Sequence, residues 1–368
     1  MRAAKNIIKL TDIVVSVAAG LILLFSAYGG SFDPRQWVLP SVAVMLFPGL
    51  LLFYLLLTAV NIFVSRVSLA INALFIILCL KSILTICPLN FGSSPDKDSD
   101  FTLMTYNVFS LKDFMTQGQT PSDNPTLKFI LESGTDIVAL QECYSLNSTL
   151  DGSNISHSLR DSLEKKYPYR DFSNNAQALL SVYPFKKVAQ NYNDDPTFEY
   201  SIYEIHINGD TLTLANIHLQ SIGLSPSDKE LYMQITEGQT ESSGVKAELS
   251  NIRRDLLAKL ASAFRKRAGQ IKKIIDLADE LPEPVIVCGD FNDVPLSYAC
   301  CRLIDAGFQD AYREAGLGPA ITYHDNRFYF RIDHIFYKGD ILPEYVRCVK
   351  NPTSDHYPLL AGFDFTDQ

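Results

Sequence analysis

The chain has 368 residues with 32 basic and 41 acidic side chains, a net charge of −9, and is long enough for two or three domains. Residues 1–95 hold six basic and two acidic side chains, which leaves 26 basic against 39 acidic in 96–368, a net of −13. So acidic a body is poor material for gripping a phosphate polyanion without sequence preference, because that affinity comes chiefly from Lys and Arg.

Three apolar runs come first, at roughly 12–29, 37–63 and 67–88. Each approaches or exceeds the about 20 residues that cross a bilayer. Buried helices of a soluble core fit poorly, since "VAVMLFPGLLLFYLLLTAV" has no polar face. Arg2, Lys5 and Lys9 give the first run the flank of a signal peptide, but no convincing cleavage site follows. The sequence therefore predicts a membrane region over 1–89 with about three transmembrane α-helices and the lipid bilayer as partner. Lys81 interrupts the third run and either snorkels to the interface or faces the bundle interior. The positive-inside tendency puts the N-terminus and Arg66 in the cytoplasm. Three crossings then put the rest outside, periplasmic or on the outer face of the inner membrane in a bacterium; two crossings would reverse this.

A polar linker, "NFGSSPDKDSD" at 90–100, precedes a body over 101–368 where short β-rich runs alternate with helical stretches. Strands are predicted at 101–108, 136–143, 178–184, 200–207, 211–219, 284–291, 331–339 and 356–365, with Asn208-Gly209-Asp210 as a hairpin turn. Helices are predicted at 125–133, 156–166, roughly 227–237, 249–280 and 297–306. The longest carries an apolar stripe of Leu256, Leu260, Phe264, Ala268, Ile271, Ile275 and Ala278. On another face Lys259, Lys266 and Lys273 repeat every seven residues, as a solvated face or a contact for headgroups or acidic substrate. Many strands with a few helices argue for packed sheets with helices outside. The seven cysteines show no zinc spacing and no disulfide framework, and Asn147 and Asn154 sit in glycosylation-type triplets.

Polar groups gather where the apolar runs stop. Asn107 ends "MTYN", Gln141-Glu142 end "DIVALQE", and His218 ends "LANIH". Asp290 and Asn292 follow "VIVCG", "FRIDHIFY" places Asp333 and His334 in a strand, and "PTSDHYPLL" presents Asp355-His356 just as the last strand begins. One such group is usually a turn or a cap. Six clusters, each fused to an aliphatic run, point to a shared site. The i, i+2 spacing of Asp290 and Asn292 puts both on one face of an extended segment.

The ordered set, above all "GDFN" followed by "SDHYP", resembles the endonuclease/exonuclease/phosphatase superfamily over 101–365. The resemblance implies an α/β fold, a four-layer sandwich of two packed β-sheets flanked by helices. It also implies hydrolysis of a phosphate ester, diester or monoester, by metal-assisted attack of water. A hard cation, Mg2+ or Mn2+, suits carboxylate ligands. Glu142 would be a ligand, with Asn107 near the same ion orienting it or a phosphate oxygen, and Asp355 as a further metal-site acid. Asp290 would orient and deprotonate the water, and Asn292 would donate to the charge developing on the substrate's phosphoryl group. Asp333 would pair with His356. His218 would bind the phosphate from the other side, as a cation or as the acid for the leaving oxygen. His334 points the opposite way from Asp333 and is structural. Tyr183 and Asn175 lie where related proteins carry substrate-facing groups, with Tyr183 more simply a packed aromatic.

The substrate is a lipid headgroup, a small phosphate ester or a nucleic acid, and tethering to a bilayer favours the first two over a nuclease. A non-catalytic membrane receptor or scaffold reusing this fold would be expected to have lost these residues, and all are present. A transporter reading lacks pathway chemistry in the apolar head.

Overall fold

A computed structural model describes residues 2–92, 99–112, 123–144, 155–174, 176–191, 198–223, 245–325 and 328–366. Asn147, Asn154, Asn175 and the helix predicted near 227–237 lie outside these residues. The head comprises α1 (Arg2–Ala27), α2 (Leu39–Val64), α3 (Arg66–Leu78) and α4 (Leu80–Ile86). Lys9–Ala27 and Leu39–Val64 are each long and apolar enough to cross a membrane. The third predicted span is broken, because α3 and α4 meet at a 60° bend around Cys79. Polar groups explain the turn. Ser82 Oγ of α4 donates to the carbonyl of Ala27 at 3.0 Å, and the Thr85 carbonyl accepts from Arg331 of the body at 3.2 Å. Lys81 is exposed rather than inside the bundle.

Contacts along the bundle fix its directions. Near the far end of α2, Asn61 Nδ2 donates to Ser16 Oγ at 3.0 Å. Gly20 lies against Phe75, and Tyr28 Oη donates to the Leu78 carbonyl at 2.6 Å. Helices α1 and α3 are therefore parallel and α2 antiparallel, so the chain leaves the bundle at the end opposite its N-terminus. That end is fastened to the body. Asn90 Nδ2 donates to the carbonyls of Arg313 and Gly316, both at 2.9 Å. Gly30 sits so close to the Leu296 carbonyl that a Cβ would lie 2.1 Å from its oxygen.

The body contains two six-stranded sheets. The first runs β11 (Ile341–Cys348), β12 (Leu359–Phe365), β1 (Phe101–Asn107), β2 (Ile137–Gln141), β4 (Gln177–Ser181), β3 (Tyr169–Asn174). The second runs β5 (Phe185–Gln190), β6 (Glu199–Ile207), β7 (Asp210–His218), β8 (Val285–Asp290), β10 (Asp333–Lys338), β9 (Gln309–Asp310). Only β1–β2 and β7–β8 pair in parallel among the described strands. Leu103, Ala139, Leu214, Ile286 and Phe363 belong to the core between the sheets. Helices α5 (Pro125–Glu132) and α6 (His157–Lys166) cover the outer face of the first sheet through Leu127, Ile130, Leu159 and Leu163. Helices α7 (Val245–Ala278) and α8 (Tyr298–Asp305) cover the second through Ile271, Ile274, Ala299 and Leu303. The short α9 (Ala311–Ala315) adds Ala311 and Tyr312 to the inter-sheet core. The result is the predicted four-layer sandwich.

Each predicted strand is present within one to three residues at its ends. The predicted stripe of α7 is buried at Phe264, Ala268, Ile271 and Ala278. Of its heptad lysines, Lys266 Nζ donates to Gln220 Oε1 at 3.0 Å and Lys273 lies over the Tyr200 ring. Tyr183 packs against the inter-sheet core, with its hydroxyl on the Asp100 carbonyl. All seven cysteines are free thiols. Burial raises those of Cys143, Cys288, Cys300, Cys301 and Cys348 above the ordinary thiol range.

Strand β8 is buried at all six positions, which its Val-Ile-Val-Cys run permits. Gly289 then turns the chain at φ 140°, where a Cβ would stand 1.9 Å from the Ile217 oxygen of β7. Only glycine fits this approach of two parallel strands. Gly289→Ala should destabilise the protein by on the order of 3 kcal/mol or more, read as a fall in the melting temperature of the detergent-solubilised chain.

Candidate active site

The two parallel pairs bring four strand ends together. Asn107 is level with Gln141, His218 with Asp290, and Asp333 opens β10 directly across from Asp290. Just below, the sheets are clasped by buried amides. Gln141 Nε2 donates to Asn216 Oδ1 at 2.7 Å, and Asn216 Nδ2 to the Leu140 carbonyl at 2.9 Å. Such pairs satisfy polar groups that would be costly to bury alone and fix one sheet against the other.

Asp290 Oδ2 is the hub. Asn107 Nδ2 donates to it at 3.0 Å, and the Nε2 atoms of His218 and His356 both lie 3.7 Å away. Asn107 Nδ2 also reaches Glu142 Oε1 at 3.1 Å, which stands 3.8 Å from His218 Nε2. Glu142 is half-exposed just past β2 at φ 51°. This left-handed conformation is uncommon for glutamate and turns its carboxylate out of the sheet.

Each histidine has a carboxylate behind it. His356 Nδ1 meets Asp333 Oδ2 at 2.8 Å, and His218 Nδ1 meets Glu199 Oε2 at 3.2 Å. Burial pulls His218 down, but its bond to Glu199 and the charges on Asp290 and Glu142 outweigh this and lift it to about 9. Burial likewise opposes the His356 cation, yet Asp333 and Asp290 hold it well above the usual imidazole range. Both rings therefore carry a proton on Nε2 at neutral pH, aimed at the hub.

Asn292 differs from its expected placement. Strand β8 ends at Asp290, and Asn292 lies beyond it at φ 52°, so the two side chains do not share a pleat face. A turn joins them instead, with the Asn292 amide N–H donating to Asp290 Oδ1 at 2.7 Å. The Asn292 side chain donates one N–H to the Leu219 carbonyl at 3.0 Å, which leaves its second N–H for a ligand.

Asp355 stands beside the hub but in neither tight donor cluster. Ser354 Oγ lies 3.3 Å from its Oδ1 and donates to the Asn107 carbonyl at 2.7 Å. Burial first, then the charges of Glu142, Asp325 and Asp290, push the Asp355 carboxyl up to about 6. His334 is fully buried on the far side of β10, where its Nε2 lies 2.9 Å from the Asp293 carbonyl. Burial lowers it to about 4, so it is neutral.

Two groups of side chains, Glu142, His218 and Asp290, and Asp290, Asp333 and His356, each bring donor atoms within 4.8 Å of one another; with both imidazoles protonated, the carboxylates of Glu142, Asp290 and Asp333 are the members left to hold a cation. His218 Nε2 and Asp333 Oδ1, one from each set, are buried without a hydrogen-bond partner among the described residues. Carboxylate oxygens crowded this way fit a hard divalent ion.

Three participants escaped the sequence reading. Glu199 was legible, because counting back from the Asn208-Gly209 turn puts it across from His218. Arg267, 1% exposed in the otherwise charged α7, bonds Asp293 at 3.0 Å and the Gln220 carbonyl at 3.0 Å. It thereby ties the segment after β8 to the segment after β7, and no local signal marked it. Ser354 stood next to a noticed pair but looked like a turn residue.

The model of the endonuclease/exonuclease/phosphatase family matches residues 104–356. A search of the curated proteins finds no match. Among solved structures, an endonuclease/exonuclease/phosphatase from Beutenbergia cavernae is 16% identical with a TM-score of 0.49, covering 73% of this chain and 72% of that one. The human Nocturnin catalytic domain is 18% identical with a TM-score of 0.47, covering 76% and 100%. A Bacteroides vulgatus endonuclease/exonuclease/phosphatase is 16% identical with a TM-score of 0.44, covering 73% and 100%. The family match carries the assignment: the chain belongs to the endonuclease/exonuclease/phosphatase family, hydrolases of phosphate-ester bonds.

Proposed function

We propose that this chain is a membrane-anchored phosphoesterase that uses Mg2+ or Mn2+ to hydrolyse a phosphate ester at the Asp290 hub. The observation that carries the reading is the approach of two carboxylate-backed imidazoles to the same Asp290 oxygen, 3.7 Å from each. Glu142 would hold the cation, the Asn107 amide, which donates to Glu142 and Asp290, would orient these carboxylates around it, and Asp355 would complete the acidic surround. When bound, the ion neutralises charge on the phosphoryl oxygens.

The chain's own groups divide the remaining work. Asp290 accepts the proton of the attacking water, and its other oxygen is steadied by the Asn292 N–H. The free N–H of the Asn292 side chain and protonated His356 donate to phosphoryl oxygens. His218, protonated and backed by Glu199, donates from the opposite side to the leaving oxygen. Asp333, Glu199 and Ser354 position these groups without touching substrate. The body's net charge of −13 favours a lipid headgroup or a small ester over nucleic acid.

We take 1–89 as the membrane unit, 90–100 as the linker and 101–368 as the catalytic unit. Arg2, Lys5 and Lys9 at the start of α1 share one end of the bundle with Arg66 at the α2–α3 turn. That end belongs in the cytoplasm, and the catalytic unit on the other side. Protease added to intact cells should digest the body and spare an N-terminal tag; a protected body would reverse the orientation.

Asp290→Asn should lower kcat by roughly 10³-fold with unchanged melting temperature. EDTA should silence the wild type and Mg2+ or Mn2+ should restore it; turnover of a phosphodiester that persists without metal would refute the reading. Glu199→Gln removes the charge that holds the proton on His218. If His218 acts protonated, kcat/KM falls as pH rises through its pKa, and the variant's fall should begin lower by roughly one unit or more. A superimposable pH profile would remove His218 from the acid role.

A further inference from the structure

A cavity of about 250 Å³ lies between the head and the body. Val44, Met45 and Phe47 of α2 form one wall, and Leu296, Ile321 and Tyr329 of the body face them. It exceeds the about 150 Å³ apolar cavities that take up benzene. Its one charged neighbour among the described residues, Arg331, is already committed, bonded to Asp310 at 2.8 Å and to the Thr85 carbonyl at 3.2 Å. Most of the remaining lining is apolar, so the space suits hydrocarbon. Tyr329 and Ile321 are 58% and 41% exposed, so the body-side wall is reachable from outside.

Position identifies the source of that hydrocarbon. Val44 to Phe47 lie in the first third of α2 (Leu39–Val64), about 8–12 Å along its axis from the start. In a span of this length that depth is near the junction of headgroups and acyl chains. The body-side segments also continue the catalytic ones. Val294 to Leu296 begin two residues after Asn292, and Arg331 precedes Asp333 by two residues. Tyr323, whose backbone pairs with Phe330 of the lining, packs its ring against His356 with centroids 5.0 Å apart. The paired Tyr323 and Phe330 thus have the catalytic imidazole on one side and the cavity beside the membrane helix on the other.

We propose that this cavity seats an acyl chain of a membrane phospholipid whose phosphate is the substrate of the Asp290 hub; the substrate clause rests on the hydrolase reading above, and the seat itself does not. The chain enters from the bilayer beside α2, and its headgroup passes over Tyr323 and Phe330 toward His356.

The test uses the full-length chain in phosphatidylcholine nanodiscs, with a phospholipid carrying a diazirine in its acyl chain, irradiated in EDTA. Label on the 319–331 loop and on Met45 supports the seat. Label confined to the outward faces of α1, α2 and α3 overturns it. In parallel, Met45→Trp should fill the space, cutting loop labelling at least fivefold. It should also cut kcat/KM for long-chain phospholipid at least tenfold, with bis(4-nitrophenyl) phosphate hydrolysis held within twofold. Equal effects on both substrates, or none, would overturn the substrate assignment. If the wild type cleaves neither ester, the hydrolase reading fails while the labelling pattern still decides the cavity.

Discussion

Two parallel strand pairs, one in each sheet, finish at the same edge of a shared apolar core, and the chemistry of this chain depends on that coincidence. The ends of β1, β2, β7 and β8 deliver Asn107, Glu142, His218 and Asp290 within a few ångströms of one another. The alignment is held by more than apolar packing, which is non-directional. The Gln141–Asn216 clasp beneath the site supplies direction, since a hydrogen bond tolerates little sliding of one sheet over the other.

The electrostatics follow from this crowding. Glu142, Asp290, Asp333, Asp355 and Glu199 converge on a small volume in which the nearest compensating cations are two imidazoles. Carboxylates therefore hold both histidines protonated, and Asp355 is driven toward its neutral form. A bound divalent ion would relieve the same repulsion. The crowding is a cost to folding and a preparation for binding, and the four-layer frame holds it in place.

The central strands were legible in the sequence because they are buried on both faces and must be written as apolar runs. All four strands that escaped detection, β3, β5, β9 and β11, are the outer edges of the two sheets. Their segments, such as "FKKVAQ" and "ILPEYVRC", are half-solvated and polar enough to read as loops. The broken third span escaped for a related reason. Hydropathy registers apolar length, whereas the bend at Cys79 is set by partners at Ala27 and Arg331 that lie far away in sequence. In the site, residue types at strand ends were readable and their supports less so. Glu199 followed from hairpin register, while Arg267 became apparent only when α7 was laid on the sheet.

The unpaired cysteines bear on where such a molecule can work. Burial suppresses ionisation of the five thiols in the body, and the thiolate is the form that oxidants and exchange partners attack. The body thus has neither a cross-link for a reductant to open nor a ready nucleophile for an oxidant to capture. What holds it together is packing and hydrogen bonding, neither of which a change in redox poise would undo.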